Sequence, residues 1–264
     1  MCVPIIIVSY NNYRYVENTI QQIKKINESY VPNIIVMDNC SNDEESIKYL
    51  ENLQNLENVK VIRNARNDGP WVSCTTNRHV WETMPEKYIL TDPDLEFNSE
   101  LPSNFIEQLV ELSDKYNTCK IGFALNLDDF DKMYQGIYCH NQTILQWESQ
   151  FWPGSKGNNK IESETEYDLY YAPIDTTFCL ISKNNQNEYW FSGKDRGQEI
   201  RVGGKFLARH LPWYIDYGIL TVEEKYHMHS NQTGTSSTSK IILEYIENNY
   251  IKTEIDGKGL LQKK

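Results

Sequence analysis

Apolar runs alternate with helically spaced apolar stripes through the first half of this chain. Ile5 to Val8 is continuously apolar, the pattern of a parallel strand covered on both faces. Val16, Ile20, Ile23 and Ile26 then recur at helical spacing, so a helix follows. Pro32 precedes a second strand, Ile34 to Met37, which ends on Asp38-Asn39. Ser41, Asn42 and Asp43 are capping residues for a helix carrying Ile47, Leu50 and Leu53. Val59 to Ile62 predicts a third strand, and Pro70 the first position of a helix bearing Trp71, Val72, Thr75 and Val80. Tyr88 to Leu90 is a fourth strand, followed by a helix with Phe105, Leu109 and Leu112 and a strand at Lys120 to Leu125. Alternation of this kind builds a wound, parallel sheet.

The rhythm breaks after about residue 126, where polar and aromatic stretches surround Trp147, Trp152 and Tyr167 to Tyr171. Ile174 to Ile181 reads as a further strand, Ser230 to Ser239 as a Ser, Thr and Gly-rich loop or lid, and Ile241, Ile242, Tyr245 and Ile246 as a helix stripe. From about Asp256 the chain is expected to fray. The pattern predicts one α/β domain, its mixed, mostly parallel sheet flanked by helices, with a C-terminal helical tail.

Composition narrows the function. A net charge of -11 over 264 residues argues against a nucleic-acid partner, which needs a basic face. The six cysteines hold no CxxC pair, so neither a zinc site nor a disulfide frame is implied. The start lacks a basic n-region and no window reaches the roughly 18 apolar residues of a membrane span, which predicts a soluble, cytoplasmic chain.

Candidate chemistry gathers where the strands end. In an open α/β sheet, ligands sit outside the carboxyl ends of the strands. Four such ends are polar here: Ser9-Tyr10-Asn11, Asp38-Asn39, Asn67 to Gly69, and Asp92-Pro93-Asp94. The last delivers two carboxylates, one residue apart, into a loop stiffened by Pro93. Mg²⁺ or Mn²⁺ takes one or two carboxylates together with phosphate oxygens and water, so this pair suits a cation bridging to a diphosphate. A nucleoside would take a backbone edge for its base and a carboxylate for its ribose.

Val8-Ser9-Tyr10-Asn11-Asn12, Met37-Asp38-Asn39-Cys40-Ser41, Asn67-Asp68-Gly69-Pro70 and Thr91-Asp92-Pro93-Asp94 resemble the nucleotide-sugar half of GT-A-fold glycosyltransferases, family 2 in particular. Ile174 to Phe178 and Ala208 to Tyr214 look like later segments of some bacterial and viral members. The resemblance implies a GT-A domain over residues 1–220, with a nucleotide-sugar half at 1–126, an acceptor half at 127–220, and a lid or tail at 221–264. It implies a metal-dependent glycosyltransferase of hexosyltransferase type that moves a sugar, with inversion, from a nucleotide-diphosphate sugar to a glycan, lipid-linked or protein hydroxyl. UDP-sugar is the implied donor.

By the same resemblance Ser9, Tyr10 and Asn11 line the base pocket and Asp38 contacts base or ribose. Asn67 and Gly69 shape the nucleoside wall, Asp92 faces ribose and metal, and Asp94 is the direct ligand of Mn²⁺ or Mg²⁺. His210, between Arg209 and Leu211-Pro212-Trp213, matches the late histidine that GT-A enzymes use as a further ligand. The chain departs from the family in having no Glu-Asp dipeptide to supply the base. Inversion needs a carboxylate to take the acceptor's proton. Asp175, opening the strand from Ile174, is the first candidate, followed by Asp195 and Glu199 in a Gly-rich acidic loop. Lys205 and Arg209 could grip phosphates, and Trp152, Trp190 and Trp213 could stack on sugars. His227 and His229 would share one face if their segment were a strand, and a solvated loop is the plainer reading. Two rivals remain: a sugar-nucleotide nucleotidyltransferase and a catalytically inactive carbohydrate-binding protein of the same fold. The first would want a Gly-rich basic loop where Tyr10-Asn11-Asn12-Tyr13 stands.

Overall fold

The computed structural model describes residues 3–56, 58–67, 69, 82–153, 159–175, 177–185, 199–232, 236–255 and 258–264. They form two compact units, one of residues 1–126 and 150–209, the other of 127–149 and 210–264. The expected helix from Pro70 to Val80 lies outside the described residues.

The first unit is built on a nine-stranded sheet. Its strands are β1 (Ile5–Ser9), β2 (Ile34–Asp38), β3 (Lys60–Arg63), β4 (Lys87–Thr91), β6 (Lys120–Phe123), β7 (Lys160–Ile161), β8 (Leu169–Tyr171), β9 (Cys179–Ser182) and β10 (Ile200–Val202). Their order is β3-β2-β1-β4-β9-β6-β10-β8-β7. All run one way except β8 and β9, which oppose their neighbours. The sheet is thus mixed and mostly parallel, as the pattern predicts. All five residues of β1 are buried, consistent with cover on both faces.

Helices α1 (Tyr13–Ile26), α2 (Glu44–Leu56) and α3 (Phe105–Tyr116) flank it. Helix α1 buries Tyr15, Val16, Thr19, Ile20 and Ile23 along one face and ends with Lys24 and Lys25, well placed for the helix dipole. Helix α3 stops where Asn117 turns left-handed at φ 48°. Between sheet and helix sit Phe97, Phe105, Phe123 and Phe178, with Phe123 and Phe178 stacked at 4.8 Å and Phe97 edge-on to Phe178 at 5.4 Å. Two short strands outside the main sheet, β5 (Leu95–Phe97) and β11 (Ala208–His210), pair with each other.

The strand expected from Ile174 begins only at Cys179. Ile174 is fully buried in the cluster of Ile6, Val8, Tyr88 and Ile181, so its apolar character marks core contact and not pairing.

The second unit holds α4 (Ile144–Ser149), α5 (Val222–Ser230), α6 (Ser237–Asn249) and a hairpin of β12 (Tyr250–Ile255) and β13 (Lys258–Lys263). Ile215, Ile242 and Ile246 form its core, with Tyr134, Tyr226, Tyr245 and Tyr250 packed against them. Two expectations change here. His227 and His229 lie on helix α5, where a spacing of two turns them apart: His229 is buried against Ser239 at 2.9 Å and His227 is exposed. The end expected to fray is a paired hairpin, Tyr250 opposite Lys263 through Ile255 opposite Lys258.

Candidate active site

Strands β1, β2 and β4 run parallel and in register, Ser9 beside Asp38 and Ile7 beside Thr91, so their polar ends open on one edge. Two loops at that edge are locked together. The Asn39 amide donates to the Ser9 carbonyl at 2.7 Å and the Asn11 amide to Ser41 Oγ at 2.9 Å. Asn11 Oδ1 accepts from the amides of Asn42 (3.0 Å) and Asp43 (3.1 Å), and its Nδ2 donates to Asn42 Oδ1 at 2.8 Å. Asn11 (φ 50°) and Cys40 (φ 65°) are left-handed, a conformation that asparagine tolerates and cysteine rarely adopts. The surrounding bonds hold both.

Asp38 is the centre of the lock. Its side chain is fully buried. Oδ1 accepts from Ser41 Oγ at 2.5 Å and from the Ser41 amide at 3.2 Å, and Oδ2 from Arg63 Nε at 3.2 Å. Arg63 Nη2 also reaches the Ser41 carbonyl at 3.2 Å. The carboxylate expected to face base or ribose has its oxygens engaged by Ser41 and Arg63, which pins the β2–α2 loop. Ser9 is likewise buried, donating to Asn12 Oδ1 at 2.9 Å. What the edge presents outward is half-buried Tyr10, Cys40 and Asn64, exposed Asn67, and the Arg63 side chain, 44% exposed. Asn39 ties this wall together, donating to the Gly69 carbonyl at 2.6 Å and accepting from Asn64 Nδ2 at 3.0 Å. Asn67 Oδ1 accepts from the Gly69 amide at 2.9 Å, and Gly69 sits at φ 77°, where a side chain would be strained.

Asp92 and Asp94 follow β4 on the same edge, both half-buried, with Pro93 buried between them. Asp94 Oδ1 is buried, and the phenol of Tyr15 beneath it has its pKa raised, chiefly by burial and further by the Asp94 charge. Thr19 Oγ1 donates to the Pro93 carbonyl at 2.6 Å. Among the described residues no three His, Cys, Asp or Glu side chains converge as a metal site. Two carboxylates on one stiff loop still fit Mn²⁺ or Mg²⁺, which complete their shells with phosphate and water.

The remaining candidates are dispersed. Arg209 pairs with Glu96 at 3.1 Å and Lys205 with Glu166 at 3.5 Å, so both cations are engaged by carboxylates. His210 belongs to the second unit, edge-on to the buried Trp213 at 4.9 Å. Trp152 leans on Tyr170 at 5.9 Å, while Asp195 and Trp190 lie outside the described residues.

Asp175 is exposed, but it does not open a strand. Its carbonyl and that of Ile174 accept from the buried Lys120 Nζ at 2.9 and 2.7 Å. Lys120 begins β6 at the amino edge, opposite to Asp38 and Asp92, so the expected acceptor-edge position is not found. Glu199 is buried, its Oε2 accepting from the Ile174 amide, and Arg201 Nε donates to the Pro173 carbonyl at 2.8 Å. These buried charges hold residues 173–175 as a strap. Sequence reasoning missed Thr19 and Arg63, and it named Asn39 and Ser41 only as parts of a strand end, of a helix cap and of the motif that carries the resemblance.

Residues 5–118 match the family model described as Glycosyl transferase family 2. No curated protein matches the sequence. Among solved structures, GalNAc-T7 with UDP, GalNAc and Mn²⁺ is similar at a TM-score of 0.50 and 14% identity, over 94% of this chain and 50% of that one. Staphylococcus aureus (S. aureus) TarS 1-349 is similar at 0.43 and 11%, over 100% and 97% of the two chains. Mannosyltransferase PcManGT from Pyrobaculum calidifontis, with GDP-Man and Mn²⁺, is similar at 0.44 and 11%, over 94% and 75%. The family match falls on the strands and loops that build the polar edge, and over residues 5–118 the chain is similar to family 2 glycosyltransferases.

Proposed function

We propose that this glycosyltransferase is metal-dependent and inverting, and transfers a sugar from a nucleotide-diphosphate donor, a UDP-sugar, to a hydroxyl acceptor. The observation that carries the reading is the placement of Asp92-Pro93-Asp94 at the end of β4, beside the locked loops of β1 and β2. The crystallised state of GalNAc-T7, with UDP and Mn²⁺, supports the donor and the cation.

In this reading Tyr10, Arg63, Asn64, Asn67 and Gly69 form the outward wall for the nucleoside, and Asp92 and Asp94 hold Mn²⁺ or Mg²⁺. A cation there neutralises charge on the departing diphosphate. The acceptor hydroxyl loses its proton to a carboxylate. Glu199 is spent on the strap and Asp175 is anchored at the amino edge, so Asp195 is the candidate carried forward as base.

Asp94→Asn tests the reading. The residue sits in a loop, so the variant should fold, yet lose turnover and cation-dependent UDP binding. Full activity in that variant, or undiminished wild-type activity in excess EDTA, would sink the metal-dependent mechanism.

A further inference from the structure

We propose that Thr19 is a positioning residue for Asp94, acting through the Pro93 carbonyl as part of a polar face of α1 that sets the shape of the Asp92-Pro93-Asp94 loop. This rests on the reading of Asp94 as a cation ligand.

Tyr15, Asn18, Thr19 and Gln22 are spaced so that they lie along one face of α1. Had this face served only to pack, apolar side chains would do so without the cost of burying polar groups. It carries hydrogen-bonding groups instead, and those of Asn18, Thr19 and Gln22 all bond the backbone of the Pro93–Phe97 segment. Thr19 is fully buried and bonds Pro93 at 2.6 Å. Asn18 Nδ2 and Gln22 Nε2 donate to the Leu95 carbonyl at 3.3 and 2.9 Å, and Gln22 Oε1 accepts from the Phe97 amide at 2.7 Å. The Gln22 amide thus pairs with β5 as a neighbouring strand would.

Pro93 explains why Thr19 matters most. Proline has no N–H, so the carbonyl is the one backbone hydrogen-bonding group that Pro93 itself brings. That carbonyl belongs to the peptide linking Pro93 to Asp94, and its orientation sets the direction in which the Asp94 side chain leaves the backbone. The Thr19 hydroxyl therefore acts one step behind the carboxylate, as outer partners do around metal ligands.

The test compares Thr19→Val, which keeps the branched shape and loses the hydroxyl, with Thr19→Ser, which keeps the hydroxyl. Mn²⁺ is titrated by electron paramagnetic resonance, alone and with saturating UDP or GDP. Removing an outer partner of a ligand costs about tenfold or more in metal affinity, so Thr19→Val should weaken Mn²⁺ binding by about tenfold and Thr19→Ser should restore it. Metal-free melting should stay close to wild type in Thr19→Ser and fall modestly in Thr19→Val, which leaves the Pro93 carbonyl without its donor. If Thr19→Val does not fold, Thr19→Ala against Thr19→Ser makes the same comparison. Equal Mn²⁺ affinity in the hydroxyl-lacking variants and wild type overturns the proposal. Asp94→Asn, titrated alongside, separates the two layers. If it loses Mn²⁺ while Thr19→Val does not, only the positioning role fails; if it retains Mn²⁺, or wild type binds none, the cation-site reading fails and takes this inference with it.

Discussion

At the end of β2 the Asp38 carboxylate accepts from Ser41 and Arg63, so a substitution there is felt first by the β2–α2 loop. Asp38→Ala leaves the Ser41 amide, the Ser41 hydroxyl and Arg63 without their acceptor. The expected cost is about 1–3 kcal/mol of stability, read as a lower ligand-free melting temperature. Asp38→Asn keeps one acceptor oxygen and should cost less. An Asp38→Ala protein that melts like wild type but loses UDP affinity would return the carboxylate to the ligand. The sequence marked Ser9, Asn11 and Asp38 as site residues from their places at strand ends. It could not show that their side chains turn inward, because that depends on the left-handed backbone at Asn11 and Cys40. Arg63 was hidden for a related reason: its partner is 25 residues away.

Strands with a continuous apolar run, such as β1, β2 and β4, were legible because they are buried on both faces and need no neighbour to reveal them. Strands of two or three residues, β7, β8, β10 and β11, were not, since nothing but pairing with distant partners makes them strands. Helix α5 was missed because its turns lack an apolar stripe: it buries Lys225, Met228 and His229. Lys225 supplies a pH test of that element. Its Nζ donates to the carbonyls of Tyr214 (2.6 Å), Ile215 (3.0 Å) and Tyr217. Burial pulls its pKa from 10.5 down to about 8, against an upward pull from Asp216 and Glu224. Below about 8 both folded and unfolded chains hold the proton, and stability does not change on this account. Between about 8 and 10.5 the folded chain has released it while the unfolded chain still binds it, so stability rises with pH. The Tyr245 and Tyr250 phenols, raised by burial and then by Asp216, favour the folded state binding protons and oppose that rise above about pH 10. The contribution of Lys225 to the unfolding free energy should therefore climb by roughly 2 kcal/mol from pH 8 to 10, read as the difference between the pH curves of wild type and Lys225→Met. Parallel curves for the two proteins would refute it.

Across the whole molecule, the first half declares its topology through strand–helix alternation, and the family match at residues 5–118 covers that stretch. The second half inserts β9 between β4 and β6 and adds β10 beyond, pairings that no local period encodes. The same scale raises the question of charge. A chain of net charge -11 has to bind a diphosphate against its own field. Arg209 and Lys205 are engaged by Glu96 and Glu166, which leaves less cationic charge for phosphate. In the proposed reading a divalent ion at Asp92 and Asp94 resolves the conflict, and that reading makes a linkage prediction. A ligand that binds only the folded protein stabilises it by about 2.7 kcal/mol when present at 100 times its dissociation constant. UDP with Mn²⁺ should therefore raise the melting temperature clearly, UDP with EDTA should barely do so, and Mn²⁺ alone should fall between. GDP run in parallel reads the base preference of the wall formed by Tyr10, Arg63 and Asn67. If UDP stabilises equally with EDTA, the protein's own cations carry the phosphates, and Arg63→Met and Arg209→Met should then abolish the shift that Asp94→Asn leaves intact.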